Sequence, residues 1–199
     1  MARKMTLKEL GSDLVPALGF LELSSISRGL FLTDVVLKKA PIRVIASQPV
    51  SSGKHVLLYI GDVASVEESH QAAIENADGT VLKQVFIPGV HAELAPFLDS
   101  IWNFEPTRAA AGEAVGIVES ATLAGAILSA DQALKTAQVS LCRMRLGQGI
   151  GGKAYYLLTG KHEEVEAALE AAKQSLSKVE SFVRTDLIPR PDDEALAHF

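Results

Sequence analysis

The 199 residues carry 19 Lys and Arg against 24 Asp and Glu, a formal net charge of −5. With no basic block longer than Arg3-Lys4, nucleic acid is excluded as a main partner. Hydrophobic content of 48% and a mean hydropathy of +0.20 are high, yet no apolar run reaches the roughly 18–20 residues of a membrane span, so the excess points to large subunit interfaces.

Residues 1–16 form an expected N-terminal extension, with a short helix around Met5–Leu10 and none of the apolar core of a signal peptide. Leu18–Leu23 then reads as a strand, followed by a helix and two strands, Ile42–Ser47 and His55–Ile60. Asp62 is placed as the N-cap of a second helix with Val66, His70, Ala73, Ile74 and Ala77 inward. Gln84–Ile87 is a closing strand, stopped by Pro88, which has no N–H for a ladder. The stretch 103–113, broken by Pro106 and Gly112, reads as a linker.

The same order then repeats. Val115–Val118 is a strand, and Leu123, Ala126, Ile127, Ala130 and Leu134 share one helical face. Small residues crowd that helix, so something must approach it closely. Strands Val139–Arg145 and Ala154–Thr159 follow, then a helix turning Val165, Ala168, Leu169, Ala172 and Leu176 inward, then strand Val183–Ile188. The acids Glu163, Glu164 and Glu166 fall in that helix's first turn, where its dipole favours them. Gly19, Glu22, Asp34, Leu37, Lys38 and Ala40 recur 97 residues later as Gly116, Glu119, Asp131, Leu134, Lys135 and Ala137. Gly53-Lys54, Gly61 and Val66 recur 99 residues later. A repeat of this length is a duplicated domain rather than a solenoid unit. The expected boundaries are 17–102 and 114–199, each copy large enough to fold around its own core. A β-α-β-β-α-β order, twice, predicts an α+β fold of two tandem ferredoxin-like (split βαβ) domains.

Few residues point to chemistry. Gly147–Ala154 satisfies both dinucleotide and phosphate-loop spacings, but such loops must run into a helix, and here a strand follows. It reads instead as a β-hairpin loop needing positive φ, or a loop whose glycines bring backbone amides against a passing solute. The five histidines have no metal-ligand spacing and do not recur between copies, so no metal site is expected. Glu22 and Glu119 read as hydrogen-bonded structural carboxylates, or as a pair across a subunit boundary. The single cysteine, Cys142, has no partner for a disulfide, suits a reducing cytoplasm and is expected to be inert. Lys38 and Lys135 end their helices, where cations are favoured.

The ordered motifs carry a resemblance. Ala17-Leu18-Gly19 with Glu22, Asp34 with Lys38 and Ala40, Ser51-Ser52-Gly53, Gly61-Asp62-Val63 with Val66, and Ile188-Pro189-Arg190-Pro191 together resemble the tandem-domain, trimer-forming shell proteins of bacterial microcompartments, in unpermuted order. The resemblance implies a homotrimer that mimics a hexagon and tiles with other shell proteins, both hexameric and pentameric, within a cytoplasmic microcompartment shell. Ser51, Ser52 and Gly53 with Gly149, Ile150, Gly151 and Gly152 would line a central pore for small polar metabolites. Lys38, Lys135 and Arg190 would make tile-edge contacts. The first copy departs from the pattern with Gly89 where arginine is expected, so alternate edges would bond differently. Some tandem shell proteins hold an iron–sulfur cluster through a cysteine in the first-copy loop. This chain has Ser51 there, a poor iron ligand, so no cofactor is expected. The same resemblance predicts a structural, non-enzymatic protein. The alternative is a trimeric ferredoxin-like sensor that binds a small molecule between subunits and does not tile.

Overall fold

A computed structural model describes residues 16–94, 97, 113–147 and 149–198. The expected helix around Met5–Leu10, the extension short of Pro16 and the linker short of Glu113 lie outside the described residues.

The first copy runs β1 (Ala17–Leu23), α1 (Ile26–Lys39), β2 (Arg43–Val50), β3 (Lys54–Gly61), α2 (Val63–Glu75) and β4 (Val81–Ile87). The second runs β5 (Ala114–Ser120), α3 (Leu123–Thr136), β6 (Val139–Leu146), β7 (Ala154–Gly160), α4 (His162–Lys178) and β8 (Phe182–Ile188), then a last turn, α5 (Asp193–Leu196). Each makes a four-stranded antiparallel sheet, ordered β2-β3-β1-β4 and β6-β7-β5-β8. This is the expected split βαβ arrangement, twice. Side-chain oxygens close four helix N-termini: Ser25 accepts from the Arg28 amide, Asp62 from Ser65, Thr122 from Gly125 and Asp192 from Glu194. The bonds to Ser65 also hold the exposed Asp62 carboxyl below its usual range. Among the described residues no helix is long and apolar enough to cross a membrane.

Alternation along β1 sends two sets of side chains to opposite faces. Leu21, Leu23, Leu57 and Tyr59 pack beneath α1 and α2 with Leu32, Val36, Val66 and Ala73. Leu18, Phe20, Val56 and Leu58 face the other way and join one continuous core with Leu123, Ile127 and Ala130 of α3, from the second copy. The two copies therefore do not keep separate cores. Helix α3 is wedged between its own domain and the first sheet, which explains its small residues: a Cβ on Gly125 would lie 2.7 Å from Ser181 Cβ. The corresponding outer face of the second sheet carries Val115, Ile117, Cys142, Tyr155 and Leu157, which cluster with Leu196 of α5.

Candidate functional site

The two loops singled out in the sequence meet. In the first, a single 3₁₀ turn, Ser51–Gly53, joins β2 to β3. Ser52 and Gly53 have φ of 68° and 71°, a left-handed hairpin that glycine and small polar residues tolerate. In the second, Gly147, Gly149, Gly151 and Gly152 all take positive φ, as the hairpin reading required. The Gly147 amide closes this loop on the Lys153 carbonyl at 3.0 Å. The Gly149 amide donates to Ser51 Oγ at 3.0 Å, so the loops touch across 98 residues of sequence. Gly152 is buried in that contact; a Cβ there would sit 3.4 Å from Ser52 Oγ. Ser52, Gly53, Gly149 and Gly151 are exposed, and Ser51 and Ile150 are half-buried.

Behind the loops lie two charged pairs, in which the sequence reading gave the carboxylates a structural role but did not join them to the loop lysines. Lys54 leaves the first loop and lies 3.7 Å from Glu22 Oε1; Lys153 leaves the second and donates to Glu119 Oε1 at 2.6 Å. The signal was present: both a carboxylate and a lysine recur in register in the two copies. Glu22 is fully buried and its carboxylate accepts from the Leu123 and Ala124 amides, at the N-terminus of α3. It is thus a hydrogen-bonded structural carboxylate at a domain boundary. Burial pushes its pKa up, against the two amides and Lys54, which pull it down. Glu119 is not so enclosed, its side chain being 36% exposed.

Lys38, Lys135 and Arg190 lie at the opposite end of the domains. Each first helix starts where its sheet meets the loop and runs back to the far end, so Lys38 and Lys135 in the last turns are far from the loops. Arg190 follows β8 at that same end and is exposed. The two lysines differ. Lys38 is 75% exposed and pairs with Asp34 at 2.6 Å. Lys135 pairs with Asp131 and also donates to the Gly89 carbonyl, across the domain junction. Gly89, the departure from the arginine pattern, thus supplies a backbone acceptor there.

Other candidates settle into the interior. His55 is buried; its Nε2 bonds Ser47 Oγ at 3.0 Å, and Ser47 bonds Thr33, whose hydroxyl donates to the Gly29 carbonyl. That relay makes Nε2 the protonated nitrogen, and burial lowers the pKa. Cys142 is buried, and its pKa is pushed up to about 11 by desolvation, then by Glu113 and Glu93. Among the described residues no three His, Cys, Asp or Glu side chains gather as metal ligands. The deciding comparison is with known families: the family model for the BMC domain matches residues 17–90 and again 114–191. The chain belongs to the BMC-domain family. Both copies are BMC domains, in tandem and unpermuted. The chain is 32% identical over 177 residues to the bacterial microcompartment shell protein PduT of Citrobacter freundii, covering 89% of this chain and 94% of that one. A solved microcompartments protein from Desulfitobacterium hafniense DCB superposes with a TM-score of 0.78 at 34% identity, covering 92% of this chain and 98% of that chain. A fused permuted hexameric shell protein of the RMM microcompartment shares the fold, with a TM-score of 0.63 at 24% identity and 83% of each chain covered. The recognition of a tandem-domain microcompartment shell protein therefore stands, and with it the α+β fold.

Proposed function

We propose that this chain is a structural tile of a microcompartment facet. Three copies close into a pseudohexameric ring, and the rings tile with other hexameric and pentameric shell proteins. The observation that carries this reading is the polarity of each domain: both loops meet at one end, and the three candidate edge residues lie at the other. In a ring with the loops inward, three Ser51–Gly53 turns and three Gly149–Gly152 turns alternate around a central opening. Hydroxyls and backbone amides line it, and Lys54 and Lys153 behind them are neutralised by Glu22 and Glu119. Such a lining exchanges hydrogen bonds with water and small polar metabolites and discriminates chiefly by size. Lys38, Lys135 and Arg190 then lie on the rim, where tiles meet. The role is one of assembly and passage, with no reaction assigned, and no iron–sulfur cluster is assigned to the Ser51 loop. The domains extend over 17–102 and 114–199, joined by the 103–113 linker.

Native mass spectrometry followed by negative-stain imaging tests the tile. The expected species is a trimer of about 64 kDa, three times the 21.2 kDa chain, which forms hexagonal sheets at higher concentration. A monomer or dimer that never forms sheets would overturn the reading, and a discrete trimer that never tiles would favour a sensor. Arg190→Ala is expected to leave the trimer intact and impair the sheets; normal tiling by that variant would remove Arg190 from the edge.

A further inference from the structure

The charges beside the two hairpins do not balance, and the surplus belongs to one copy. Among the described residues flanking the loops, Lys54 and Lys153 face the carboxylates of Glu22 and Glu119. Lys54 reaches the contact between the loops: a Cβ on Gly152 would lie 3.5 Å from its Nζ. Arg145 is a third cation. It lies near the end of β6, just before the second loop, and is exposed. Its Nη2 lies 3.5 Å from the place a Cβ on Gly149 would take, so the guanidinium stands against the loop itself. Three cations against two carboxylates leave the loops positive, whatever each group bonds.

The first copy has no such charge. Arg145 stands opposite Tyr155, which stands opposite Glu119. In the first sheet the same row reads Gln48, Val56 and Glu22. A neutral amide thus takes the place of the guanidinium. The fork of donors on Arg145 matches a carboxylate or a phosphate. Its surroundings leave room for one: among the described residues, nothing lies within 4 Å of where a Cβ on the exposed Gly151 would stand. Position matters here, because physiological salt screens a charge over about 8 Å. Only a charge at the loop can act on a solute passing the loop.

We infer that Arg145 makes the opening prefer small oxyanions, carboxylates or phosphates, over cations of similar size. This rests on the ring and pore proposed above and names the class of solute that passes. In such a ring three guanidiniums alternate with three Gln48 amides, so the opening gains a positive field without being narrowed at every position. The field raises the local concentration of anions and lowers that of cations. Glu22 and Glu119 offset the two lysines, which keeps the field weak enough for an anion to leave as well as enter. The hydroxyls and amides of the loops then sort by size, and Arg145 sorts by charge.

The test is ionic current through the full-length protein in a planar bilayer, under a gradient of potassium acetate and then of potassium phosphate. Wild type is expected to pass the anion at least about threefold more readily than K⁺, and the larger of the two ratios tells carboxylate from phosphate. Arg145→Gln should bring the ratio to about one, whereas Arg145→Lys, which keeps the charge, should hold it above one. At about 1 M salt, where screening shortens to about 3 Å, the wild-type ratio should fall. Native mass spectrometry of the same samples should show all three proteins as trimers, since Arg145 is exposed. A wild type that conducts with no preference for anions, or an Arg145→Gln variant that keeps the preference, would overturn the inference and leave the tile standing. A lysine variant that loses the preference as glutamine does would assign Arg145 to loop shape rather than charge, and would overturn it too. A trimer that carries no current would sink the pore reading on which this rests, and a wild type that is not trimeric would sink the ring.

Discussion

Gly29 shows how tightly one position can be set. Helix α1 crosses β3 so closely there that a Cβ would lie 2.1 Å from the His55 ring, against 3.4–4 Å for ordinary contact. His55 cannot yield readily, since its Nε2 is committed to Ser47 and its Nδ1 is already buried without a partner. Gly29→Ala is therefore expected to destabilise the fold by about 1–3 kcal/mol through overpacking, read as a lower urea midpoint. An unchanged midpoint would mean that α1 can lift from the sheet. This contact was not legible in the sequence, because it arises where a helix and a strand 26 residues apart cross, and no spacing rule connects them. The loop glycines were legible, because a hairpin between two β-rich runs requires the backbone that glycine supplies.

Among the elements, α3 depends most on a foreign group. Its first two amides are satisfied by Glu22, a side chain of the other domain, where the first turn of a helix would otherwise look to water. Because burial raises the Glu22 pKa above its ordinary 4.5, the folded state binds its proton more tightly than the unfolded state does. The stability this contributes is complete below about pH 4.5 and is lost as pH rises through the folded-state pKa. The advantage of wild type over Glu22→Gln, measured by urea titration across pH, should shrink as pH rises; a constant or growing advantage would contradict it. Sequence reading captured the inward face of α4 residue by residue, since a helix packed on one side has one apolar stripe. It missed which elements meet across the copies. The apolar residues of α1 and α3 fall on equivalent positions, and only the chain's path decides which helix finds a sheet within the same molecule.

At the scale of the whole molecule, the shared core has a thermodynamic consequence. Leu18, Phe20 and Val85 of the first copy pack in one cluster with Ile127, Ala130 and Leu158 of the second. Neither domain can open without exposing the other's apolar surface, so the chain should unfold in one transition, with calorimetric and van't Hoff enthalpies in agreement. Two resolved transitions would show that the junction is weaker than its burial implies. The duplication was plain in the sequence, whereas the merging of the cores was not. Both sheet faces read as apolar alternation, and nothing in that pattern says whether the second face is met by solvent, by the sister domain or by another chain.

The bond from the Gly149 amide to Ser51 joins two loops that belong to one covalent chain. Dilution cannot separate them, because tethering fixes their effective concentration whatever the amount of protein present. In a closed ring, alternate junctions would therefore be independent of concentration, and only the others would follow mass action. Exchange of material between rings would then proceed by whole pairs of unlike loops, so a substitution in either loop would enter the opening at every second position and never at two neighbouring ones.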